Sequence, residues 1–142
     1  MKKAVLFALF VMSIQAIGQN RLAILYSSTG MEYGKASAVD RDGNYINGSL
    51  FQNTINVNPN GTTNLTAPGL TTQIALTKYN PQGQLLWGKH FGGTTTSEAP
   101  HGIATDQSRN IYVTGYFGST TLTGPQSADF NPAGGGTIAT QG

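Results

Sequence analysis

The feature that most constrains the fold is an internal repeat. Asp40 returns as Asp106, and the Asn-Pro pair at 58–59 returns at 131–132 after a slightly longer interval. Between these points, SAVDRDGNYINGSLF is echoed by GIATDQSRNIYVTGYF, and VNPNGTT is echoed by FNPAGGGT. A repeat of whole segments in the same order indicates a chain that stacks similar structural units and does not fold around one unique core.

The repeated stretches have the pattern of β-strands. In residues 110–117 (NIYVTGYF), β-branched and aromatic side chains dominate and two kinds of side chain alternate. Similar runs bounded by turn residues predict strands at 22–27, 44–51, 73–79 and 84–91. Pro81 and Gly83 predict a tight turn between the last two runs, so residues 73–91 are a predicted hairpin.

The alignment of the two copies also predicts which strand faces correspond. Matching Gly48 with Gly115 places Ile46 on Val113. The same alignment places Leu50 on Phe117, so the same face is expected to be apolar in both copies.

The predicted strand at 73–79 has apolar side chains on both faces. Ile74 and Leu76 point to one face, and Ala75 and Tyr79 point to the other. A sheet that is apolar on both faces lies between two neighbours. Radial stacking of four-stranded antiparallel sheets is the arrangement of β-propeller blades, so we predict an all-β propeller fold.

Several motifs in the same order resemble the bacterial seven-bladed β-propeller repeat (SBBP-type) family. They are SAVDRDGNYING, IATDQSRNIYVTG, ADFNPAGG and ALTKYNPQGQLLWGKHFGG, and they cover most of residues 22–142. The resemblance implies an exported bacterial surface protein, often of the Bacteroidetes type. It does not generally imply an enzymatic activity.

The expected boundaries give an incomplete ring of about one and a half blades. They are a signal peptide helix at 1–18, the N-terminal strand of a partial blade at 19–35, a first complete blade at 36–93 and a second, truncated blade at 94–142. Propellers close with about 4 to 8 blades. We therefore expect an N-terminal fragment of a longer chain, or blades that are completed by an oligomer. The strand at 22–27 is a candidate for closing the ring.

The first eighteen residues predict export. Lys2 and Lys3 precede an apolar run, and small residues precede Gln19. The run is about half the roughly 20 apolar residues that a membrane span needs, so no stable span is expected after cleavage. These two lysines also account for the excess of eight basic over six acidic residues. The neutral mature chain gives no support to nucleic-acid binding, and the absence of cysteine means that it folds without disulfides.

One candidate metal site lies in DRDGNYING. Asp40, Asp42 and Asn44 alternate around Gly43, as in the first part of many calcium loops. In the second copy, Arg109 replaces Gly43 and would bring a cation to the place where the ligands of an ion converge. We therefore favour a hairpin turn in which Asp and Asn side chains bond the local backbone.

Other candidate residues are also interpreted as structural. His90 and His101 lack the further ligands of a zinc site. Glu98 and Asp106 are a conceivable acid–base pair, but glycosidases need two carboxyl groups about 5 to 10 Å apart across a pocket. Four aromatic residues are candidates for a sugar-stacking platform, although strand aromatics in a propeller more often fill the space between blades. They are Tyr45, Trp87, Tyr116 and Phe117.

The sequence thus predicts a non-catalytic, exported β-propeller repeat protein. We expect a surface or secreted scaffold or binding module with an unknown protein or glycan partner and no cofactor, and we assign no catalytic, cofactor-binding or metal-binding residue. The alternative is part of an exported propeller hydrolase or lyase that acts on polysaccharide, with catalytic residues outside this segment.

Overall fold

The computed structural model describes Ile24 and residues 26–68, 71–94, 96–118, 127–130 and 137–139. The described residues form an all-β structure in antiparallel sheets. In chain order the strands are β1 (Ser27–Ser28), β2 (Glu32–Val39), β3 (Tyr45–Phe51), β4 (Thr54–Asn56), β5 (Asn64–Thr66), β6 (Gln73–Tyr79), β7 (Leu85–Phe91), β8 (Ser97–Thr105), β9 (Ile111–Gly118), β10 (Ser127–Asp129) and β11 (Thr137–Ala139). In this part of the chain, no helix is long and apolar enough to cross a bilayer. The predicted signal peptide lies outside the described residues.

The largest sheet has four antiparallel strands in the order β2-β3-β6-β7. Its strands confirm the predictions at 44–51, 73–79 and 84–91, and β6 and β7 form the predicted hairpin. In the turn of that hairpin, the Gly83 N–H donates to the Asn80 carbonyl oxygen, and Gly83 has a φ of 79°. Glycine adopts this left-handed conformation without the steric cost of a Cβ atom, which explains why the hairpin turns here.

One face of this sheet carries the main core. Phe51 in β3 and Ala75 in β6 pack against the small hairpin of β4 and β5, which contributes Ile55, Val57, Leu65 and Ala67. The buried Tyr79 hydroxyl donates to the Val57 carbonyl oxygen at 2.6 Å. The small hairpin therefore seals this face with both apolar contacts and a hydrogen bond.

The opposite face of the sheet packs against the hairpin of β8 and β9. A Cβ atom on Gly48 would lie 2.9 Å from Ile103 Cδ1 and 3.2 Å from Pro100 Cγ, so glycine lets β8 lie directly on β3. Ile46 and Leu50 share this face by strand alternation, and both are buried. The prediction that the sheet lies between two layers is confirmed.

The structure corrects the predicted alignment of the two copies. Asn44 pairs with Asp40 through the same backbone hydrogen bond as Asn110 with Asp106. The β2–β3 hairpin has a bulge at Gly34/Ala36, and the β8–β9 hairpin has one at Pro100/Gly102. The number of residues between the two bulges equals the number between Asp40 and Asp106, so the two hairpins align without an insertion.

The predicted matches of Ile46 with Val113 and Leu50 with Phe117 are therefore wrong by one residue. A slip of one residue moves a side chain to the other face of its strand. The true counterpart of Val113 is Asn47, and that of Phe117 is Phe51.

Each copy also contains a small hairpin that the sequence analysis missed. β10 and β11 repeat β4 and β5 with the same interval as the two Asn-Pro pairs. Asn56 of β4 pairs with Ser27, and Asp129 of β10 pairs with Gly92. β1 thus occupies the place that follows the fourth strand of a preceding unit. Of the strand predicted at 22–27, residues 22, 23 and 25 lie outside the described residues, and β1 begins at Ser27. The unit boundaries given above remain predictions.

Candidate functional site

Three hairpin turns in the two copies share one local design. Each begins with an Asp or Asn whose Oδ1 accepts the backbone N–H groups two and four residues further on, at 2.8 to 3.1 Å. These residues are Asp40, Asn80 and Asp106. The fourth residue of each turn is left-handed, with φ angles of 81° at Gly43, 79° at Gly83 and 69° at Arg109. The prediction that DRDGNYING forms a hairpin turn is confirmed.

The first turn contains a buried ion pair. Lys78 Nζ lies 2.7 Å from Asp40 Oδ2, and the two side chains are 14% and 2% exposed. Burial alone would raise the pKa of Asp40, but hydrogen bonds from Lys78 and Asn44 outweigh this effect and hold the pKa well below its usual range. Asp40 is therefore a charged anchor that joins the turn to the end of β6.

The three candidate metal ligands are occupied by other groups. Asn44 Nδ2 donates to both carboxylate oxygens of Asp40, at 3.2 and 3.0 Å. Asp42 points to the second copy, where Arg109 Nε lies 2.6 Å from its Oδ2. Among the described residues, no group of three or more His, Cys, Asp and Glu side chains could hold a metal ion. The geometry is that of a turn whose carboxylates bind protein donors.

A pair of contacts joins the first and third turns, and we call it the turn clasp. Arg109 donates from Nε and Nη2 to the two carboxylate oxygens of Asp42, at 2.6 and 3.4 Å. In the other direction, Arg41 Nη1 donates to the Gln107 carbonyl oxygen at 2.9 Å. The hydrogen bond from the Arg109 guanidinium lowers the pKa of Asp42 across the boundary between the two copies. The clasp therefore fixes the relative position of adjacent units at one rim.

The two histidines have separate surroundings. His90 Nδ1 lies 2.7 Å from Gln73 Oε1, and its ring meets Phe51 edge-on at 6.2 Å. Burial lowers the pKa of His90. His101 is exposed and contacts the ring of Tyr116 at 5.4 Å. His90 thus has a packing role in the first sheet.

Glu98 and Asp106 do not form a catalytic carboxyl pair. Glu98 lies near the start of β8, and Asp106 directly follows its end. The extended strand between them places them roughly 25 Å apart, which exceeds the gap that glycosidases use. Asp106 accepts hydrogen bonds from its own turn, including one from the Tyr112 hydroxyl at 3.0 Å. Glu98 is fully buried.

The aromatic candidates do not share one platform. Trp87, for which a position in the core was expected, is only half-buried in β7. Tyr116 is 48% exposed on the outer face of the second hairpin. Phe117 packs against Phe130 at 5.3 Å between ring centroids, in the space between the units. Tyr45 lines a groove on the first sheet.

The described residues form two concave surfaces that could hold a ligand. A groove of about 600 Å³ lies over β2 and β3, and we call it the β2–β3 groove. Its polar lining includes Glu32, Lys35, Ser37, Asn47 and Ser49. An apolar cavity of about 400 Å³ lies between the first sheet and β9, and we call it the β9 cavity. Its lining includes Ile74, Leu76, Phe91, Val113, Phe117 and Phe130.

Sequence reasoning missed Lys78 and the turn clasp. Lys78 is the one charged residue in the apolar run QIALTKY, and such a residue signals a buried partner. The clasp has no comparable signal, because its partners, Asp42 and Arg109, are far apart in the chain and meet only when the units stack.

Comparisons with known proteins agree with the repeat architecture. Residues 86–116 match the family described as the SBBP beta-propeller repeat. The chain is 37% identical over 87 residues to an uncharacterized WD repeat-containing protein of Acanthamoeba polyphaga mimivirus. That match covers 56% of this chain and 6% of the viral protein. No solved structure matches the chain. The family match identifies a β-propeller repeat at residues 86–116. Together with the stacked antiparallel sheets, it shows an all-β chain with the architecture of a partial propeller.

Proposed function

We propose that this chain is part of an exported, non-catalytic β-propeller scaffold that binds a protein or glycan outside the cell. The observation that carries the proposal is the stacking of consecutive units. Gly48 of the first unit lies against Ile103 and Pro100 of the second, and the turn clasp joins their rims. Of the two carboxyl groups considered as a catalytic pair, Asp106 organises its own turn. A scaffold of this kind presents its loops and grooves for binding.

The β2–β3 groove is the proposed binding surface. The counterparts of its residues Ser37 and Asn47 in the second unit are Ile103 and Val113, which face the first sheet. The first copy thus has hydrogen-bonding groups where the second copy has apolar packing. Ser49, also in the groove, has a buried hydroxyl without a hydrogen-bond partner among the described residues. Asn47, Ser49 and Tyr45 line the same groove, and hydrogen-bonding groups together with an aromatic ring suit a neutral glycan, which offers hydroxyl groups and apolar ring faces.

Binding is tested by electrophoresis of the chain in gels that contain soluble polysaccharides. We expect retardation by at least one neutral polysaccharide, and we expect Asn47→Ala to reduce it about tenfold in apparent affinity, because a buried sugar hydroxyl would lose its partner. Asn64→Ala, at an exposed position in β5, is the matched control and should bind normally. Equal losses in both variants would contradict binding in the groove. Release of oligosaccharides by this chain would contradict the proposal of a non-catalytic scaffold and would mean that catalytic residues lie within this segment.

Export is tested separately. Residues 1–18 are fused to a reporter enzyme that is active only outside the cytoplasm, and the N-terminus of the exported protein is sequenced. We expect export and cleavage directly before the position of Gln19, because a basic start, an apolar run and small residues before the cleavage point direct secretion. Leu6→Arg interrupts the apolar run and should abolish reporter activity. Activity that survives Leu6→Arg would contradict the proposal.

A matched control places the same charge outside the apolar run. When the fusion is extended to residue 20, Asn20→Arg adds an arginine after the cleavage point and should export normally. Loss of export in this variant as well would mean that added charge, and not interruption of the apolar run, blocks secretion.

A further inference from the structure

The edge of β9 differs from that of its counterpart in the first unit. β3 has strands on both sides, and its register with β6 runs from Tyr45↔Tyr79 to Phe51↔Gln73. β9 is the counterpart of β3 and is paired only with β8 in the described part of the chain. By the same register, the backbone groups along the outer side of β9, from Ile111 to Phe117, have no strand partner among the described residues. Such an edge is a template for another strand.

The β9 cavity lies beside this edge. Ile74, Leu76 and Phe91 of the first sheet form one wall, and Val113 forms part of the other. In the first unit, the place beside the corresponding edge is filled by β6 and β7, whose inner face meets the β4–β5 hairpin. Val113 is 39% exposed although it points to an apolar wall. The cavity therefore has the shape and chemistry of a space that a hairpin fills in the first unit.

The first unit also shows which side chain would enter. Tyr79 donates its hydroxyl to the Val57 carbonyl oxygen, and Val57 directly follows β4. Phe130 directly follows β10, the counterpart of β4, and it lines the β9 cavity. Its carbonyl oxygen is in the position that accepts from the tyrosine in the first unit.

We propose that the edge of β9 and the β9 cavity bind a β-hairpin of the Gln73–Phe91 type, supplied by a further copy of this repeat. Its first strand pairs antiparallel with β9. A tyrosine at the position of Tyr79 enters the cavity and donates its hydroxyl to the Phe130 carbonyl oxygen. The chain's own β6 does not serve, because it already has a strand on each side. This inference depends on the repeat geometry and is independent of export and of the glycan.

The hairpin satisfies two needs of the second unit. It pairs N–H and C=O groups of β9 that have no strand partner among the described residues, and it fills the β9 cavity, where Val113 is 39% exposed. The alternation of side chains fixes the register of the added strand on β9, because a slip of one residue would turn the tyrosine away from the cavity.

The test is a full chain with a second copy of residues 70–93 fused directly after Gly142. In this design, the added hairpin follows the original hairpin by a fixed number of residues in the chain. The same number separates β10 from β4 and β11 from β5. We expect backbone amides of β9 to exchange with solvent at least about tenfold more slowly than in the original chain, because paired strand edges open less often. A control chain carries the same added residues in scrambled order. Equal exchange in the two extended chains would overturn the proposal.

Variants of the extended chain test the cavity. Tyr79→Phe in the added copy removes the hydroxyl and should reduce the protection of β9 about fivefold, and Tyr79→Ser should reduce it further. Val113→Lys places a charge in the cavity and should abolish the protection. Tyr112→Lys adds the same charge on the outer face of β9, where Tyr112 is 55% exposed, and should retain it. Loss of protection in both lysine variants, or in neither, would show that the hairpin does not fill the cavity.

Discussion

Replacing Asp40 with alanine is expected to lower the free energy of unfolding by up to about 3 kcal/mol, because it leaves a largely buried lysine without its counter-ion. The Lys78 side chain is 14% exposed, and its ammonium lies 2.7 Å from the Asp40 carboxylate. The substitution also removes the acceptor of the N–H groups of Asp42 and Asn44, so the turn loses its organising side chain. Urea unfolding followed by the fluorescence of Trp87, the single tryptophan, measures the change.

The repeat supplies a matched control for this prediction. Asp106→Ala removes an equivalent turn residue, but Asp106 bonds its own turn at a more exposed position and has no lysine partner among the described residues. We expect a clearly smaller loss of stability. Asp40→Asn keeps an acceptor in the turn and removes the charge. It therefore distinguishes the contribution of the turn hydrogen bonds to stability from that of the ion pair. Equal effects of Asp40→Ala and Asp106→Ala would show that the ion pair with Lys78 contributes nothing beyond the turn.

The sign of the pH dependence follows from the lowered pKa of Asp40. Its ion pair with Lys78 and its hydrogen bond with Asn44 outweigh the effect of burial. A carboxyl with a lowered pKa in the folded state contributes stability above its unfolded pKa, and that contribution is lost as the pH falls. The difference between the original chain and Asp40→Ala should therefore be complete at neutral pH and shrink below about pH 4.

The sequence predicted the parts of the fold that depend on local chemistry. The turn at Asp40 is recognisable because Asp and Asn side chains bond backbone groups only two to four residues away. The hairpin of β6 and β7 is recognisable because Pro81 fixes φ at the start of the turn and Gly83 permits a left-handed φ, between two runs with strand-like patterns. The all-β architecture follows from these elements and from their repetition.

The missed features depend on interactions between distant segments. β4 and β5 are so short that a run such as Thr54–Asn56 cannot show a period. The register of the second copy was misjudged because identical residues, Gly48 and Gly115, were matched. The hydrogen bonds of the turns fix the spacing instead. Of the candidate site, the turn was predictable, whereas the lysine partner and the turn clasp depend on how strands and units meet.

Replacing Glu98 with glutamine is expected to stabilise the chain by about 1–3 kcal/mol at pH 8, because it removes a buried charge that lacks a partner. Glu98 is 0% exposed, and neither carboxylate oxygen has a hydrogen-bond partner among the described residues. Burial raises the pKa of its carboxyl; the Thr96 hydroxyl and the Gly93 N–H oppose this rise without making well-formed hydrogen bonds. Gly92 approaches so closely that an added Cβ would collide with Glu98 Oε2.

The first copy explains why this carboxylate lacks a partner and provides the control. Glu32, its counterpart in the first copy, accepts a hydrogen bond from the Ser28 hydroxyl. Ser27 pairs with β4 in the first copy, and Gly92 pairs with the corresponding strand, β10, in the second. Gly93 therefore stands where the first copy has Ser28, so the second copy lacks the hydroxyl. Glu32→Gln should therefore give no comparable gain.

The contribution of the Glu98 carboxyl to stability should depend on pH in the opposite sense to that of Asp40. A carboxyl with a raised pKa contributes stability below its unfolded pKa, and this contribution is lost as the pH rises through the folded-state pKa. The glutamine variant does not titrate, so its advantage should be absent near pH 4 and grow toward about pH 8. Urea unfolding of both chains across this range measures it. A glutamine variant that is less stable at the upper end of the range would mean that the ionised Glu98 binds a cationic partner.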